Sequence, residues 1–292
     1  MQSIAESELI LNPDGSMYHL HLHPEELANT IITVGDPDRV NQVSKHFDKI
    51  ECKKQNREYI THTGYLGKKR ISVISTGIGV NSIDIVINEL DALANIDFKT
   101  RQAKPNLTSL DIIRIGTSGT FQADIKIDSF LAAEYCLGFD ALLNFYQQKN
   151  SADELNLLSA FVKHMPDFLE FCKPYITKGS EYLLEKFSPF AQKGITATCE
   201  GFYAPQGRVL RLPLAYTNFI AKLQGFQHNG KRLTNFEMET SAIYGLGQAL
   251  GHRCLSLNAI IANRALGEFS KDYKSVVTSL IEKTLETLTN EN

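Results

Sequence analysis

The chain has 292 residues, enough for one large α/β domain or two small ones. Hydrophobic residues make up 43% and charged residues 22%, and the net charge of −3 with scattered Lys and Arg argues against a nucleic-acid or membrane-surface partner. The longest apolar runs fall far short of a membrane span, and Met1 to Asn12 carries Glu6 and Glu8 without a basic-then-apolar signal pattern, so a cytoplasmic location is expected.

The first predicted element is a β-rich run at Thr30 to Val34, followed by a turn and a helix over Arg39 to Phe47. Glu58 to Tyr65 and Arg70 to Ser75 flank Gly67 and read as a hairpin. Asn81 to Ala94 reads as a helix, with Ile83, Val86, Ile87 and Leu90 at three- and four-residue spacing. Lys99 to Thr108 is polar, contains Pro105 and reads as an exposed loop. Asp111 to Ile115 is a strand ending in a glycine turn, and Ser129 to Tyr135 is another strand. Residues 137–194 offer no usable motif. Ile195 to Cys199 and Arg253 to Ile261 are expected as strands, and Met238 to Leu250 and Tyr273 to Leu288 as helices. Asn229-Gly230 marks a turn within Gln227 to Lys231. The alternation implies a mixed or mostly parallel sheet with helices on both faces, within a single domain. Cys52, Cys136, Cys172, Cys199 and Cys254 are odd in number and far apart, so reduced thiols in or near the core are expected.

Several segments carry chemistry. Gly35-Asp36-Pro37-Asp38-Arg39 follows a strand and opens a helix, with Asp36 as cap and Pro37 in the first turn. Free N–H groups at the helix start and the Arg39 fork suit an anion, although this segment taken alone reads slightly better as a well-capped strand-to-helix turn with a surface Arg. Arg114 stands inside an apolar strand, where an unpaired guanidinium is costly. It needs an anion or several acceptors, from a ligand or from a structural salt bridge. Ser75-Thr76-Gly77-Ile78-Gly79-Val80-Asn81-Ser82 resembles a dinucleotide fingerprint but has Ser82 in place of the third glycine, which argues against NAD. Phe202, Gln206 and Arg208 stand at i, i+4 and i+6. An aromatic face, an amide and a guanidinium are the groups that hold a flat pyrimidine. Asn235-Phe236-Glu237-Met238-Glu239 leads into a helix, where Glu239 offers an acceptor for ribose hydroxyls and Met238 an apolar surface. Acidic residues also favour any helix start.

Gly35-Asp36-Pro37-Asp38-Arg39, Ser75-Thr76-Gly77-Ile78-Gly79, Arg114-Ile115-Gly116-Thr117-Ser118-Gly119, Phe236-Glu237-Met238-Glu239 and Asn263-Arg264 stand in the order found in the hexameric-type nucleoside phosphorylases. The chain resembles that family over residues 18–130 and 195–290, and most its uridine phosphorylase branch. The resemblance implies a single-domain three-layer α/β/α fold over 1–292 with a central mixed, partly barrel-like sheet. It implies phosphorolysis of uridine to uracil and ribose 1-phosphate, with no cofactor and inorganic phosphate as co-substrate.

Carried over by position, Gly35, Arg39, Arg114 and Thr117 are expected to bind phosphate, with Arg57 reaching into a neighbouring subunit's site. His19, lent by a neighbour, Met238 and Glu239 are expected at the ribose. Ser118, Gly119, Phe202, Gln206, Arg208 and Arg264 are expected at the base. Arg114, Arg208, Gln206 and Glu239 would carry the catalysis by charge stabilisation and orientation. Glu58, Ile78 and Ser82 match a monovalent-cation (K+) site at a dimer interface of some members. Shared sites imply a homo-oligomer, at least a dimer and in the family's usual bacterial form a hexamer. Purine-cleaving relatives place an Asp where this chain has Asn263. The segment from Leu22 to Thr30 is shorter than in bacterial relatives, so His21 is a second candidate for the His19 role. His19, His21 and His23 would share one face if extended, which leaves a metal site open. The loops at Lys99–Thr108 and Gln227–Leu233 are longer than the family pattern.

Overall fold

The computed structural model describes residues 3–290; Met1, Gln2, Glu291 and Asn292, part of the expected 1–292 domain, lie outside the described residues. The first half contains β1 (Thr30–Val34), α1 (Pro37–Ser44), β2 (Lys49–Asn56), β3 (Tyr59–Leu66), β4 (Lys69–Ser75) and α2 (Val80–Asn95). The short pair β5 (Ile96–Asp97) and β6 (Gln102–Ala103) precedes β7 (Asp111–Thr120) and β8 (Phe130–Phe139). Then come α3 (Ala152–His164), β9 (Tyr175–Lys178), α4 (Glu181–Phe187), β10 (Gln192–Cys199), α5 (Phe219–Gln224) and β11 (Gln227–His228). The last elements are β12 (Lys231–Glu237), α6 (Thr240–Leu250), β13 (Arg253–Asn263), β14 (Glu268–Phe269) and α7 (Tyr273–Thr289).

One mixed sheet runs β11-β12-β10-β8-β13-β7-β1-β4-β3-β2. An additional antiparallel pairing of β12 with β7, Asn235 opposite Thr120 and Phe236 opposite Gly119, closes the middle of that path into a ring. The partly barrel-like sheet expected from the family resemblance is therefore present, with β1, β4, β3 and β2 fanning out from β7.

Alternation along the central strands sorts the core into layers. Ile31 and Ile112 pack with Ile83, Val86, Ile87 and Leu90 of α2 and with Ala242, Ile243 and Leu246 of α6. Ile32 and Ile113 face the other way, onto Val40 and Val43 of α1, Leu183 and Phe187 of α4, and Leu280 and Ile281 of α7. A third cluster, built from Phe139, Phe161, Phe168, Phe219, Phe226 and Phe236, packs α3 and α5 against β8, β10 and β12. The motif-poor residues 137–194 thus supply much of an aromatic cover beside the ring.

Several expectations need correction. The segment Gly116 to Gly119 is not a turn, because β7 continues through it to Thr120 and pairs with β13 along its length. Met238 and Glu239 precede α6, whose first residue is Thr240. The Lys99–Thr108 stretch is no free loop at its start. Arg101 holds the N-terminal segment, its guanidinium donating to the carbonyls of Ile4 (2.8 Å) and Ala5 (3.0 Å). His19, His21 and His23 do not line up on an extended face, because the chain turns there, with His21 N donating to Met17 O (2.9 Å) and His21 at φ +56°. No group of three His, Cys, Asp or Glu among the described residues is arranged to hold a metal. All five cysteines are free. Among the described residues no helix is long and apolar enough to cross a membrane.

The first turn of α6 is tied down by a buried polar cluster. The Tyr175 hydroxyl lies 2.7 Å from both Asp140 carboxylate oxygens and 2.9 Å from Ser241 Oγ, which itself donates to Asp140 Oδ2 at 3.0 Å. Asp140 is buried, and a buried carboxylate without donors is costly. Tyr175→Phe is expected to cost about 1.5–3 kcal/mol, the worth of a hydrogen bond to a charged group, and to lower Tm by roughly 3–10 °C. Thermal unfolding of the two proteins measures this, and an unchanged Tm would show that Asp140 draws nothing from Tyr175.

Candidate active site

A cavity of about 760 Å³ opens where β1, β4, β7, β12 and β13 end. Its wall contains Gly35, Arg39, Arg114, Thr117, Ser118, Gly119, Phe202, Gln206, Arg208, Met238 and Glu239, which the sequence scatters over more than two hundred positions. Glu58 and Ile78 stand at the same wall.

At one end two guanidinium groups converge. Arg114 is only 6% exposed. Its Nη2 donates to Glu239 Oε2 at 2.5 Å and lies 3.5 Å from Glu237 Oε2, while Nη1 donates to Asn258 Oδ1 at 3.0 Å. Burial works against the charge, but the Glu239 and Glu237 carboxylates outweigh it and hold the Arg114 pKa above the ordinary arginine value. The side chain folds back over its own strand. A Cβ at Gly116 would stand 1.9 Å from Arg114 Nη1, so glycine at 116 makes room for the guanidinium. Arg39 extends from the first turn of α1, capped by Asp36, whose carboxylate accepts from Asp38 N at 3.0 Å. Its Nη1 donates to Ile115 O at 3.3 Å, and its Nε is buried with no partner among the described residues. Burial, and then the like charge of Arg114, lower the Arg39 pKa, against the pull of Asp36. Two crowded guanidinium groups with an unused buried donor make a cradle suited to an anion.

In the middle stands Glu239. Its Oε1 accepts from Gly79 N at 2.7 Å, so the backbone of the glycine run of residues 75–82 supports this carboxylate. Gly79 adopts φ +95°, a conformation that favours glycine. Glu237 is turned inward. It accepts from Glu239 N (2.9 Å), Thr240 N (2.8 Å) and the Thr198 hydroxyl, capping α6, and burial raises its pKa.

At the other end Arg208 lies over the Phe202 ring, 3.8 Å from its centroid. Its Nη1 donates to Gln206 Oε1 (2.5 Å) and Phe202 O (2.6 Å). Burial, followed by the neighbouring Arg264 charge, brings Arg208 down to about 10. Gln206 is 2% exposed.

Four of the expected residues lie off the cavity wall. Arg264 stands behind it, donating to the carbonyls of Gln206 and Gly207 (3.0 Å to the latter), and so props the Gln206 loop. Arg57 is exposed at the β2–β3 tip with φ +54°, 5.9 Å from the Tyr18 ring centroid. His19 is fixed by Glu89, Nδ1 to Oε1 at 2.6 Å, whereas the exposed His21 lies 3.3 Å from Asp14. Ser82 Oγ donates to Thr76 O. Asn263 also turns away from the cavity. Its amide donates to Gln122 O (3.0 Å) and Ile125 O (2.9 Å) and accepts from Ala265 N (3.0 Å). Sequence reasoning missed Phe269, which is 60% exposed and lines the cavity from β14, and Asn258 behind Arg114. The polar Ser256-Leu257-Asn258 within an apolar strand was the available signal.

A phosphate-like cradle, a carboxylate and a stacked amide–guanidinium pair along one cavity define a nucleoside-cleaving class of site. The Phosphorylase superfamily model matches residues 29–289, and the chain belongs to that superfamily. A uridine phosphorylase of Thermococcus kodakarensis is 29% identical over 273 residues, 93% of this chain and 86% of that protein. A DeoD-type purine nucleoside phosphorylase of Colwellia psychrerythraea is 26% identical over 92% of this chain and 98% of its own length. Among solved structures, the Trypanosoma brucei nucleoside phosphorylase, which shows uridine phosphorylase activity, superposes with a TM-score of 0.88 at 26% identity, covering 97% of this chain and all of that one.

The back-folded Arg114 yields a test. Gly116→Ala is expected to push the guanidinium off Glu239 and leave buried carboxylates unpaired, destabilising the protein by about 3–5 kcal/mol. Denaturant unfolding of the variant measures the loss. A cost under about 1 kcal/mol would mean that Arg114 has another equally good rotamer.

Proposed function

We propose that the protein is a uridine phosphorylase, one domain over residues 1–292, that reversibly converts uridine and inorganic phosphate to uracil and ribose 1-phosphate in pyrimidine salvage. The observation that carries this reading is the paired arginine cradle, with its unpartnered Arg39 Nε, at the opposite end of one cavity from the Gln206–Arg208 pair. The names of the Thermococcus kodakarensis and Trypanosoma brucei relatives support it.

In this reading Gly35, Arg39, Arg114 and Thr117 hold phosphate beneath the sugar. Met238 packs on the ribose, and Glu239 orients its hydroxyls. Ser118, Gly119, Phe202, Gln206 and Arg208 hold uracil, with Arg264 acting through the loop it props. A phosphate oxygen forms a bond to C1′ as the bond from C1′ to uracil N1 breaks. Positive charge collects on the sugar and is met by phosphate. The electron pair leaves with uracil, where Arg208 and Gln206 meet it. Catalysis is by fixed charges and positioning, with no protein nucleophile.

His19 and Arg57 belong to the neighbouring subunit's site in this reading, which requires at least a dimer and is compatible with a hexamer. Both stand on one patch, since Asn56 Nδ2 donates to His19 O at 2.9 Å. A K+ ion between subunits would rest on Glu58, Ile78 and Ser82. Glu58 Cγ and Ser82 Oγ each lie 3.5 Å from the position of a Cβ on Gly77, so they share one neighbourhood. One carboxylate, one hydroxyl and the Ile78 carbonyl are too few ligands without a second copy. The reaction itself needs no cofactor, and the enzyme is expected to work in the cytoplasm.

The purified protein incubated with uridine is expected to release uracil only when phosphate is present. Hypoxanthine from inosine would move it to the purine branch of the DeoD-type relatives, and base release without phosphate would make it a nucleosidase. Shared sites are tested by mixing inactive Arg57→Ala and Arg114→Ala proteins after reversible dissociation. Hybrid dimers carry one intact site, so about a quarter of wild-type activity is expected to return. No recovery would confine Arg57 to its own subunit.

A further inference from the structure

We propose that Asn258 is a positioning residue for phosphate capture, a neutral amide that holds the Arg114 guanidinium without adding a third carboxylate beside it. The inference rests on the reading that Arg114 binds phosphate.

Asn258 is fully buried on β13 and does not reach the cavity wall. In the parallel pairing of β7 with β13, Arg114 stands opposite Ser256, and Asn258 lies two residues further on, on the same face. Its Oδ1 accepts from Arg114 Nη1 at 3.0 Å, and its Nδ2 donates to Ser256 Oγ at 3.3 Å. Ser256 Oγ in turn accepts from Thr240 Oγ1 at 2.8 Å. Thr240 is the first residue of α6, immediately after Glu239. An uncharged chain of hydrogen bonds therefore joins Arg114 to the helix start that carries Met238 and Glu239. It fixes the distance between the anion cradle and the carboxylate in the middle of the cavity.

Charge explains why this partner is an amide. Arg114 already meets Glu239 at 2.5 Å and Glu237 at 3.5 Å. Two carboxylates around one guanidinium leave little positive potential to spare. A third would turn the cluster against an incoming anion, although aspartate has the same shape as asparagine and would still accept from Nη1. A neutral acceptor holds the guanidinium and leaves its charge available.

The test compares Asn258→Ala and Asn258→Asp with wild type, reading KM for phosphate and for uridine and the rise in Tm produced by inorganic phosphate alone. Asn258→Ala is expected to raise KM for phosphate about tenfold, the usual loss for a hydrogen bond to a charged group, with KM for uridine within about twofold. Asn258→Asp is expected to raise it further and to abolish the phosphate-induced gain in Tm. Unchanged phosphate KM in Asn258→Ala, or tighter phosphate binding by Asn258→Asp than by Asn258→Ala, would overturn the proposal. Equal increases in both KM values would reduce Asn258 to a general structural role and overturn it too. Should the alanine variant fail to fold, the isosteric aspartate variant decides alone. The substrate reading fails separately. A wild type that phosphate stabilises but that cleaves no uridine loses the uridine assignment and leaves the Tm comparison intact.

Discussion

The guanidinium of Arg114, buried inside a β-strand, is the constraint on which the rest of the site depends. Its burial is tolerable only because partners arrive from three directions. Glu239 and Glu237 come from the entry to α6, Asn258 from β13, and the space it occupies from the missing side chain of Gly116. Buried ion pairs of this kind seldom add net stability, since desolvation offsets most of the attraction. Their worth here is geometric. An arginine held on two sides by fixed acceptors presents its charge without reorganising, which is how electrostatic catalysis gains over water.

Ring closure makes that arrangement possible. The pairing of β12 with β7 sets Phe236 opposite Gly119 and Asn235 opposite Thr120, and Asn235 Nδ2 donates to Ser118 Oγ at 3.0 Å. The residues just beyond β12 are thereby delivered to the strand that carries Arg114. On the other flank, β1 and β4 run parallel so closely that a Cβ on Gly35 would come within 3.3 Å of Gly77 O. Two glycine-bearing strand ends meet there, and the second passes its backbone N–H at Gly79 to Glu239. The arginine cradle, the Glu239 carboxylate and the Gln206–Arg208 pair are one continuous wall because one sheet supplies the strand ends along it.

Local pattern carried much of this in the sequence. The apolar spacing of α2 was legible because it buries one regular face, and the strand at Thr30–Val34 because its short β-rich run is buried throughout. An arginine within Ile-Ile-Arg-Ile announced its own need for partners. What stayed hidden depends on contacts between distant residues. Gly116 and Gly119 look like turn residues because glycine usually breaks a strand, yet Gly116 is required by a side chain two positions earlier in the same strand. The ring closure depends on strand register, which no single segment encodes. The edge strand β2, with Lys49, Glu51, Lys53 and Lys54, has too few apolar residues to read as a strand, although charged edges are how sheets avoid pairing with other chains. Spacing and resemblance named Ser118, Gly119, Phe202, Gln206 and Arg208, which meet at one cavity wall, but the places of Arg264 and Asn263 as props emerge only from their backbone partners.

The exposed tip bearing Arg57 carries the same logic beyond one chain. Arg57 holds φ +54°, an uncommon conformation for a residue with a side chain. Such strain persists where the surroundings over-determine it. Here the surroundings are Asn56, which donates to His19 O, and the Tyr18 ring, 5.9 Å from the guanidinium carbon. His19 is meanwhile locked by Glu89, a 6%-exposed carboxylate from α2 that also accepts from His19 N and Leu20 N. A helix, a hairpin tip and the N-terminal segment are thus joined to hold one half-buried imidazole and one exposed guanidinium on one patch. The proposed shared site accounts for that expense by giving both groups a role at another copy's cavity.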